Sequence, residues 1–552
     1  MKILFKVLAA AALGTTASGC SSFLDVNTNP NSFSAVTADA ILATALTTTA
    51  TNYTGGNPSF NSYGSWTADY WGKSGVVNGF PDETTYNYTN TSYAGLFNNT
   101  YDNLNDYQLI QNQGTAYPNH AAIARIMKVY NYLLLVDEYG DIPYTNALLG
   151  AANTTPSYDS APAIYRDFIT QLNGAISDIN AAAANGRAVG GEDVVFGGNM
   201  ANWKRFANSL KLRILLRQSS TTNADLNSYV TAQMATLQNP DGGFITTDVV
   251  VQPGYAQNTN QQNPFYNRYG YTIASTAAPE RQYQIPTQFI LNQYVNNNDP
   301  RLTQLYVIGA RGQAGAQVPE WIGAVPGENS SPQFVPPIVG SRFLGSSTGT
   351  PGTGGFFKGL NAPTILMMVS EHLFSKSEAE SRGLLPGGDG AAKTDFQNAT
   401  AAAFQTNYRT ATGTLATVPT DLTATSTAAG ITQYQTYVAA NTTNGLVNWD
   451  AATTTLSTQG TPAGSTRTVS KLEKIIYQKY LAMNVLNSIE AWDDYRRTTY
   501  PKIPASLQSV ISGRADRLPT RLLYPLTESS TNRGSVPTNA TSTTKIFWDE
   551  LD

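Results

Sequence analysis

Hydrophobic residues recur every three or four positions along several long stretches of the chain, which places them on one side of a helix. The clearest stretch is 469–501, where no Gly or Pro interrupts the pattern before Pro501. Its large apolar residues are Leu472, Ile476, Tyr480, Met483, Leu486, Ile489 and Trp492. We therefore expect one helix over 472–492 that packs on several sides and belongs to the core.

The other periodic stretches predict more helices, most of them in consecutive pairs. The predicted pairs are 93–113 with 121–136, 163–184 with 200–219, and 362–379 with 391–407. A short Pro-containing turn joins the members of the first pair, as in a helical hairpin. Single helices are expected at 37–51, 285–295 and 431–440.

Two regions, 52–90 and 239–359, lack long periodic segments and are rich in Gly, Asn and aromatic residues. Loop regions of this length inside a compact protein are usually functional or disordered. Trp66, Tyr70 and Trp71 lie close together in the first region. Two interpretations of this cluster stay open, because its rings can pack as a small additional core or form a platform for a ligand.

The composition limits the kinds of molecule that this protein is expected to bind. Only 13% of the 552 residues are charged and the net charge is −4, which argues against nucleic acid, since nucleic acid selects basic surfaces. The 31 Tyr and 7 Trp residues offer flat apolar faces with a polar edge, and Asn and Thr supply uncharged hydrogen-bonding groups. Such a surface suits an exported protein that contacts neutral polar ligands, and it equally fits an exported protein without a ligand.

The N-terminus is typical of an exported lipoprotein. Residues 1–19 carry two lysines, a short apolar run and then small residues, which predicts a secretory signal peptide. Cys20, the only cysteine of the chain, follows directly and resembles the lipidated cysteine of a bacterial lipobox. Residues 20–35 are expected to form a lipidated linker, and no other segment has the length and apolarity of a membrane span. The alternative is an ordinary signal peptide with an incidental cysteine.

No catalytic or metal-binding set is apparent, and we expect neither an enzyme nor a cofactor. His120 and His372 belong to no metal-binding motif. Ser347 lies in a G-x-S-x-G string, but Gly, Ser, Thr and Pro follow it where a nucleophile elbow needs a helix. A flexible loop is the better interpretation of that string.

Charged clusters predict structural ion pairs. The adjacent carboxylates Asp137/Glu138 and Asp493/Asp494 lie beside an arginine or a turn, whereas a glycosidase needs two carboxylates facing each other across a sugar. Helix 200–219 carries several basic residues, and in an acidic chain these are expected to be solvated or ion-paired.

Seven strings along the chain, taken in order, resemble the SusD-like (RagB/SusD) family of nutrient-binding outer-membrane lipoproteins. They are LDVNTNPN at 24–31, DEYGDIPY at 137–144, WKRFANSLKLR at 203–213, NNNDPRL at 296–302, APTILMMVSEHLFSKSEA at 362–379, EKIIYQKYLAMNVLNSIEAWDDYRRTTYP at 473–501 and LPTRLLYPLTESSTN at 518–532. No single string is decisive, but together they are specific.

This resemblance implies a mainly α fold for residues 36–552, in which one nutrient-binding domain has a tetratricopeptide-like scaffold of paired helices with long irregular loop insertions. It also implies a lipid-anchored protein, exposed on the outer membrane, that delivers a nutrient to a SusC-like TonB-dependent transporter. An oligosaccharide is the expected nutrient, and a peptide is the alternative. A secreted glycan hydrolase and an adhesin or scaffold lipoprotein are the rivals from other classes.

The sequence places the expected ligand contacts on loop aromatics, because the aromatics of the helices follow core spacing. Sugar rings present C–H faces that stack on Trp and Tyr, and no charge is required. The candidate ligand-binding residues are Trp66, Tyr70, Trp71, Tyr266, Tyr269 and Trp321.

Overall fold

The computed structural model describes residues 36–182, 186–345, 356–423, 425–455 and 465–550. The predicted signal peptide 1–19, the linker 20–35 with Cys20, and Ser347 lie outside these residues.

The described chain is mainly helical, as the periodic pattern predicts. The α-helices are α1 Ala38–Ala50, α2 Phe60–Thr67, α3 Pro81–Thr85, α4 Ala94–Gln111, α5 Pro118–Tyr139, α6 Ala161–Ala181, α7 Met200–Arg217, α8 Ala224–Ala235, α9 Pro264–Tyr269, α10 Gln288–Asn296, α11 Arg301–Leu305, α12 Val369–Ser381, α13 Gly388–Tyr408, α14 Ile431–Ala440, α15 Lys471–Met483, α16 Ser488–Thr498 and α17 Leu526–Thr531.

The scaffold consists of helix pairs that stack on one another. Helix α4 packs on α5, α6 packs on α7, and α12 packs on α13, as the three predicted pairs require. Successive pairs also contact each other, through α5 with α6 and through α7 with α12, and α15 packs on α12. Each amphipathic face is thereby buried on the next pair, and the predicted paired-helix scaffold is confirmed.

Strands are short and, in the described residues, form antiparallel sheets of two or three strands. They are β1 Trp71–Lys73, β2 Ile142–Pro143, β3 Tyr158–Asp159, β4 Val249–Val251, β5 Gln284–Pro286, β6 Tyr306–Val307, β7 Gly309–Gln313, β8 Ala316–Glu320, β9 Ile338–Val339, β10 Arg342–Phe343, β11 Thr364–Met367, β12 Thr453–Thr454 and β13 Arg467–Thr468. Most of them lie in the region 239–359, where the sequence predicts no long helix apart from 285–295.

The predicted helix 362–379 begins later than expected. Its first part forms strand β11, which pairs antiparallel with β4, so that Thr364 lies opposite Val251. Helix α12 starts only at Val369. The apolar run TILMMV fits a buried strand as well as a helix, and periodicity alone does not separate the two.

The predicted single helix 472–492 is broken into α15 and α16. Val485, between them, has a φ of 62°, which a continuous right-handed helix does not accommodate. The polar groups exposed by the break are satisfied by Asn61, whose side chain donates to the Val485 carbonyl and accepts from the Ser488 amide at 2.8 Å. The stripe is nevertheless buried at Ile476, Tyr480, Met483, Ile489 and Trp492, whereas Leu472 and Leu486 are partly exposed.

Helix α2 lies directly on the start of α16. A Cβ at Gly64 would lie 2.4 Å from the backbone nitrogen of Ile489, so only glycine allows this approach. Beside it, the Ser65 hydroxyl donates to the Ser488 hydroxyl at 2.8 Å. The loop region 52–90 is therefore fixed to the scaffold at this point.

The charged residues of α5, α7, α12, α15 and α16 meet in the interior in two adjoining groups of ion pairs, which together are called the ion-pair network here. Its cations are Arg213, Arg217, Lys479, Arg496 and Arg497, and its carboxylates are Asp137, Glu138, Glu371, Glu378, Glu490, Asp493 and Asp494. None of these residues is more than 5% exposed. The prediction that the adjacent carboxylates form structural ion pairs is thereby confirmed.

Arginines of the network connect different helices. Arg213 of α7 donates through Nε and Nη2 to the two oxygens of Glu371 on α12, both at 2.9 Å, and its Nη1 lies 2.9 Å from Glu490 on α16. Arg497 of α16 donates to both oxygens of Glu378 on α12, at 2.6 and 2.7 Å. Such paired contacts between a planar guanidinium and a carboxylate fix the relative orientation of the helices.

Arg217 and Arg496 extend the network to α5. Arg217 contacts Asp137 and lies 2.7 Å from Asp493, and Arg496 donates to Glu138 at 2.7 Å. The network contains seven carboxylates and five buried cations, and the partly exposed Arg382 adds a sixth cation at its edge. Burial raises the pKa of Asp137 to about 7, against the opposing effect of Arg217, and burial also raises the pKa of Glu138 well above its usual range. Part of the carboxylate excess is therefore held as neutral acid near neutral pH.

Candidate ligand-binding cleft

Five of the six aromatics that the sequence proposes as ligand contacts lie inside the protein. The exposed fractions are 6% for Trp66, 0% for Tyr70, 2% for Trp71, 2% for Tyr266 and 4% for Tyr269, whereas Trp321 is partly exposed. The six do not form one exposed platform. Some of the buried rings serve only the core, and others also line a cavity.

Tyr70 and Trp71 pack into the core. The Tyr70 ring stacks on Tyr480 with centroids 4.5 Å apart, and its hydroxyl donates to the Tyr480 carbonyl at 2.6 Å. The Trp71 ring lies 4.9 Å from that of Tyr269 and 6.1 Å from that of Phe343. For these two residues, packing is the interpretation that the structure supports, and Tyr70 has no face left for a ligand in this conformation.

Trp66 and Tyr269 line one cleft, although they come from distant parts of the sequence. The cleft has a volume of about 280 Å³, and Phe80 and Tyr93 also line it. Trp66 and Phe80 lie with ring centroids 4.9 Å apart. Four aromatic side chains from the regions 52–93 and 264–269 therefore share one concavity.

Short capped helices hold these rings. The Ser59 hydroxyl caps α2 by accepting a hydrogen bond from the Ser62 amide, and the Ser59 amide donates to the Ser62 hydroxyl. This reciprocal pair, a capping box, starts the helix that carries Trp66. The Asn263 side chain accepts from the Tyr266 amide and starts α9, which ends at Tyr269.

Two of the cleft aromatics occupy left-handed backbone conformations. Phe80 has a φ of 64° and Tyr93 a φ of 55°, just before α3 and α4 respectively. Bulky residues rarely adopt this region, and such strain tends to accumulate at ligand sites. The left-handed backbone thus raises the conformational energy at Phe80 and Tyr93, the two positions that bring the region 80–93 against Trp66.

Charged groups also face the cleft. Arg268 and Glu280 form a two-point ion pair, with Nη2–Oε1 and Nε–Oε2 distances of 2.7 and 3.1 Å. Asp82 accepts a hydrogen bond from the Ser92 hydroxyl, and Glu83 accepts one from the Tyr93 hydroxyl at 2.7 Å.

Burial affects two titratable groups of the cleft. Burial raises the pKa of Tyr269 to about 12, so its hydroxyl is a hydrogen-bond donor at neutral pH. Burial also raises the pKa of Glu83, and the Tyr93 hydroxyl partly opposes that effect. The cleft therefore offers both donors and acceptors beside apolar rings, as small-molecule sites generally do.

Two other cavities differ in size and lining. Tyr266 lines a cavity of about 50 Å³ together with Phe265 and Phe356, which is too small for a sugar ring. A groove of about 360 Å³ on the helical face is lined by Arg125 and Lys128. Burial lowers the pKa of Lys128 to about 8, and its ammonium donates to two glutamine side chains. Of these three cavities, the Trp66 cleft is the one that is built from the loop insertions and is also large enough for a sugar ring.

Sequence reasoning missed Phe80, Tyr93, Glu83 and Arg268 as cleft residues. Phe80, Glu83 and Arg268 belong to no periodic pattern or recognisable motif, and Tyr93 lies at the start of the periodic stretch 93–113. Which of these residues meet depends on tertiary packing. The string FPDETTYNY, which combines aromatic residues with two carboxylates, was the available signal for Phe80 and Glu83.

The two histidines lie away from the cleft. His120 is buried, with Nε2 3.0 Å from Glu192. Burial lowers the pKa of His372 to about 3, so it is neutral, and its ring lies 4.8 Å from that of Phe244. Among the described residues there is no group of three or more His, Cys, Asp or Glu that could hold a metal ion. Nor does that part of the chain include a helix with the length and apolarity to cross a membrane.

The protein-family model SusD-like_2, described as "Starch-binding associating with outer membrane", matches residues 30–525. No curated protein matches the chain.

Several solved structures share the fold. A chitin-binding protein is 21% identical, with a TM-score of 0.65, and the alignment covers 93% of this chain and 100% of that one. A SusD/RagB family protein from Bacteroides thetaiotaomicron is 18% identical, with a TM-score of 0.64 and coverage of 94% and 100%. A SusD homologue from Parabacteroides distasonis is 18% identical, with a TM-score of 0.67 and coverage of 93% and 98%. At these identities the likeness establishes the fold.

Proposed function

This chain belongs to the SusD-like family, and we propose that it is an outer-membrane lipoprotein that binds a saccharide and delivers it to a SusC-like TonB-dependent transporter. The family description, starch-binding and associated with the outer membrane, supports both the location and the ligand class. The similarity to a chitin-binding protein supports a saccharide ligand as well.

The observation that carries the proposal is the cleft lined by Trp66, Phe80, Tyr93 and Tyr269. Sugar rings have apolar C–H faces and polar edges, and this cleft pairs apolar rings with donors and acceptors. Its volume suits about one or two sugar units, because ligand pockets of a few hundred Å³ bury small ligands. Of the six aromatics that the sequence suggests as ligand contacts, the proposal keeps Trp66 and Tyr269, and it adds Phe80 and Tyr93.

Polysaccharide affinity electrophoresis tests the ligand class. The native protein is run through gels containing chitin-derived, starch-derived or other neutral polysaccharides, and retardation reports binding. Phe80→Ala should abolish the retardation, since it removes one wall of the cleft. Phe334→Ala is the matched control, because Phe334 is also a half-buried aromatic but does not line the cleft. Equal retardation of both variants would place the site elsewhere.

A peptide ligand is the alternative within the same system. Binding of peptides, with no retardation by any polysaccharide, would establish it. Release of reducing sugars from those polysaccharides would instead indicate a hydrolase. Absence of both a ligand and a transporter partner would leave an adhesin or scaffold.

The lipid anchor and the partner need separate tests. If Cys20 is acylated, Cys20→Ala should release the protein from membranes, and retention after a high-salt wash would contradict the anchor. Co-purification of a TonB-dependent transporter with the native lipoprotein tests the proposed partner.

A further inference from the structure

The charged groups of the cleft are unbalanced. Asp82, Glu83 and Glu280 supply three carboxylates, and Arg268 supplies one guanidinium. Arg268 is occupied by its two-point contact with Glu280. Asp82 and Glu83 are held by the hydroxyls of their neighbours and not by cations.

Neighbouring residues do not neutralise this charge. The groups that affect the ionisation of Glu83 are its own burial, the Tyr93 hydroxyl, its own backbone and Asp82, and none of them is cationic. In the ion-pair network, in contrast, every carboxylate contacts at least one cation, and several carboxylates share one. The absence of a cation beside Asp82 and Glu83 is thus a local property of the cleft.

A structural role explains this arrangement only in part. Carboxylates in the first turn of a helix are favourable, and Asp82 and Glu83 lie in the first turn of α3. That helix has five residues, however, and this role does not explain why Glu280, from another part of the chain, faces the same cavity. The aromatic walls around these carboxylates indicate a ligand surface.

Ionised carboxylates accept hydrogen bonds and never donate them. Asp82 and Glu83 each accept from one neighbouring hydroxyl, and a ligand that carries hydroxyl, amide or ammonium groups supplies further donors to their oxygens. A ligand that carries carboxylate or sulfate supplies only acceptors and a like charge, which is repelled at short range in a partly desolvated site.

We propose that this cleft selects saccharides that are neutral or carry an amine and rejects saccharides that carry carboxylate or sulfate groups. The inference rests on the proposed saccharide-binding function and adds the charge class of the ligand. It concerns the cleft residues of this chain, with Asp82 and Glu83 as the selective groups.

The test compares probes of different charge. The probes are neutral N-acetylglucosamine oligomers, cationic glucosamine oligomers, neutral starch-derived oligomers and anionic galacturonic acid oligomers, each measured by isothermal titration. The native protein should bind at least one neutral or cationic probe and should bind the anionic probe at least ten-fold more weakly.

The double variant Asp82→Asn, Glu83→Gln removes the charge while keeping an acceptor for each hydroxyl. It should bind galacturonic acid oligomers at least ten-fold more tightly than the native protein does. The control is Asp102→Asn, Asp106→Asn, which changes the net charge equally on α4, outside the cleft, and should leave the affinities unchanged. Circular dichroism confirms that both variants fold.

The outcomes separate the two proposals. Tight binding of the anionic probe by the native protein would overturn the charge selectivity and leave saccharide binding intact. An equal gain in the control variant would also overturn it, since net charge would then be the cause. Binding of no saccharide at all would overturn the proposed function, and the selectivity with it.

Discussion

The ion-pair network and the cleft both contain several carboxylates, yet these carboxylates have different partners. In the network, each arginine meets carboxylates on neighbouring helices, and every member is almost fully buried. In the cleft, Asp82 and Glu83 have hydroxyl partners, and the backbone is left-handed at Phe80 and Tyr93. Carboxylates paired with cations therefore mark the scaffold, whereas Asp82 and Glu83, paired only with hydroxyls beside aromatic rings, mark the proposed site.

The largest expected effect is the loss of an arginine from the network. Arg217→Met should destabilise the protein by about 3–5 kcal/mol, because Asp137, Glu490 and Asp493 would lose a buried partner. Urea unfolding measures the change. Arg311→Met is the control, since Arg311 pairs with Glu320 at the surface, where solvent screens the pair, and its loss should leave the free energy of unfolding almost unchanged. Equal effects would mean that burial does not distinguish the two pairs.

The second effect concerns the aromatic part of the scaffold. Trp492 is fully buried and stacks on Tyr495 with centroids 5.5 Å apart. Trp492→Ala should cost about 3–5 kcal/mol and should leave saccharide affinity unchanged in the folded fraction. Melting temperature and titration measure the two properties. A variant with native stability and lost binding would move Trp492 from the scaffold to the site.

The third prediction addresses the cleft directly. Trp66→Ala should weaken saccharide binding about ten-fold, or about 1.4 kcal/mol, because it removes a ring that lines the cleft. Since Trp66 is also buried, its stability should fall as well, so titration is performed below the melting transition. Trp321→Ala is the comparison, because Trp321 is partly exposed and lies outside this cleft. A greater loss in Trp321→Ala would shift the site to that residue.

The smallest effect concerns a carboxyl that belongs to neither region. Asp69 is buried, with both oxygens lacking a hydrogen-bond partner, and burial raises its pKa well above 3.8. The folded state thus holds this proton more tightly than the unfolded state, so the stability contributed is complete below pH 3.8 and is lost as pH rises towards the folded pKa.

Asp69→Asn removes that titration. The stability of the variant relative to the native protein should therefore increase as the pH rises from 4 to 6. Urea unfolding of both proteins at several pH values measures the difference. A difference that stays constant with pH would show that Asp69 has an ordinary pKa.

Sequence predicted the scaffold well because its signals are local. The apolar spacing of 431–440 matches α14, and the pairs α4–α5, α6–α7 and α12–α13 lie where periodicity placed them. The break between α15 and α16 was missed, because it depends on Asn61, more than 400 residues away in the chain. The start of α12 was missed for the same kind of reason, since β11 needs β4 as a partner.

The site was predictable only in its residue types. Aromatic richness pointed to the right regions, and Trp66 and Tyr269 do line the cleft. Composition, however, does not report which ring packs inward. Tyr70 and Trp71 face Tyr480 and Phe343, and those partners are set by tertiary packing that no local pattern encodes.

The burial of the ion-pair network has a consequence for how the protein responds to salt. Dissolved ions screen charges in contact with water over about 10 Å at 0.1 M, but they reach buried pairs poorly. The helices held by Arg213 and Arg497 should therefore stay together equally well in dilute and concentrated salt. The carboxylates of the open cleft lie within reach of those ions. A change in ionic strength should thus alter the attraction or repulsion of charged ligands at the cleft, while the helical scaffold stays unchanged.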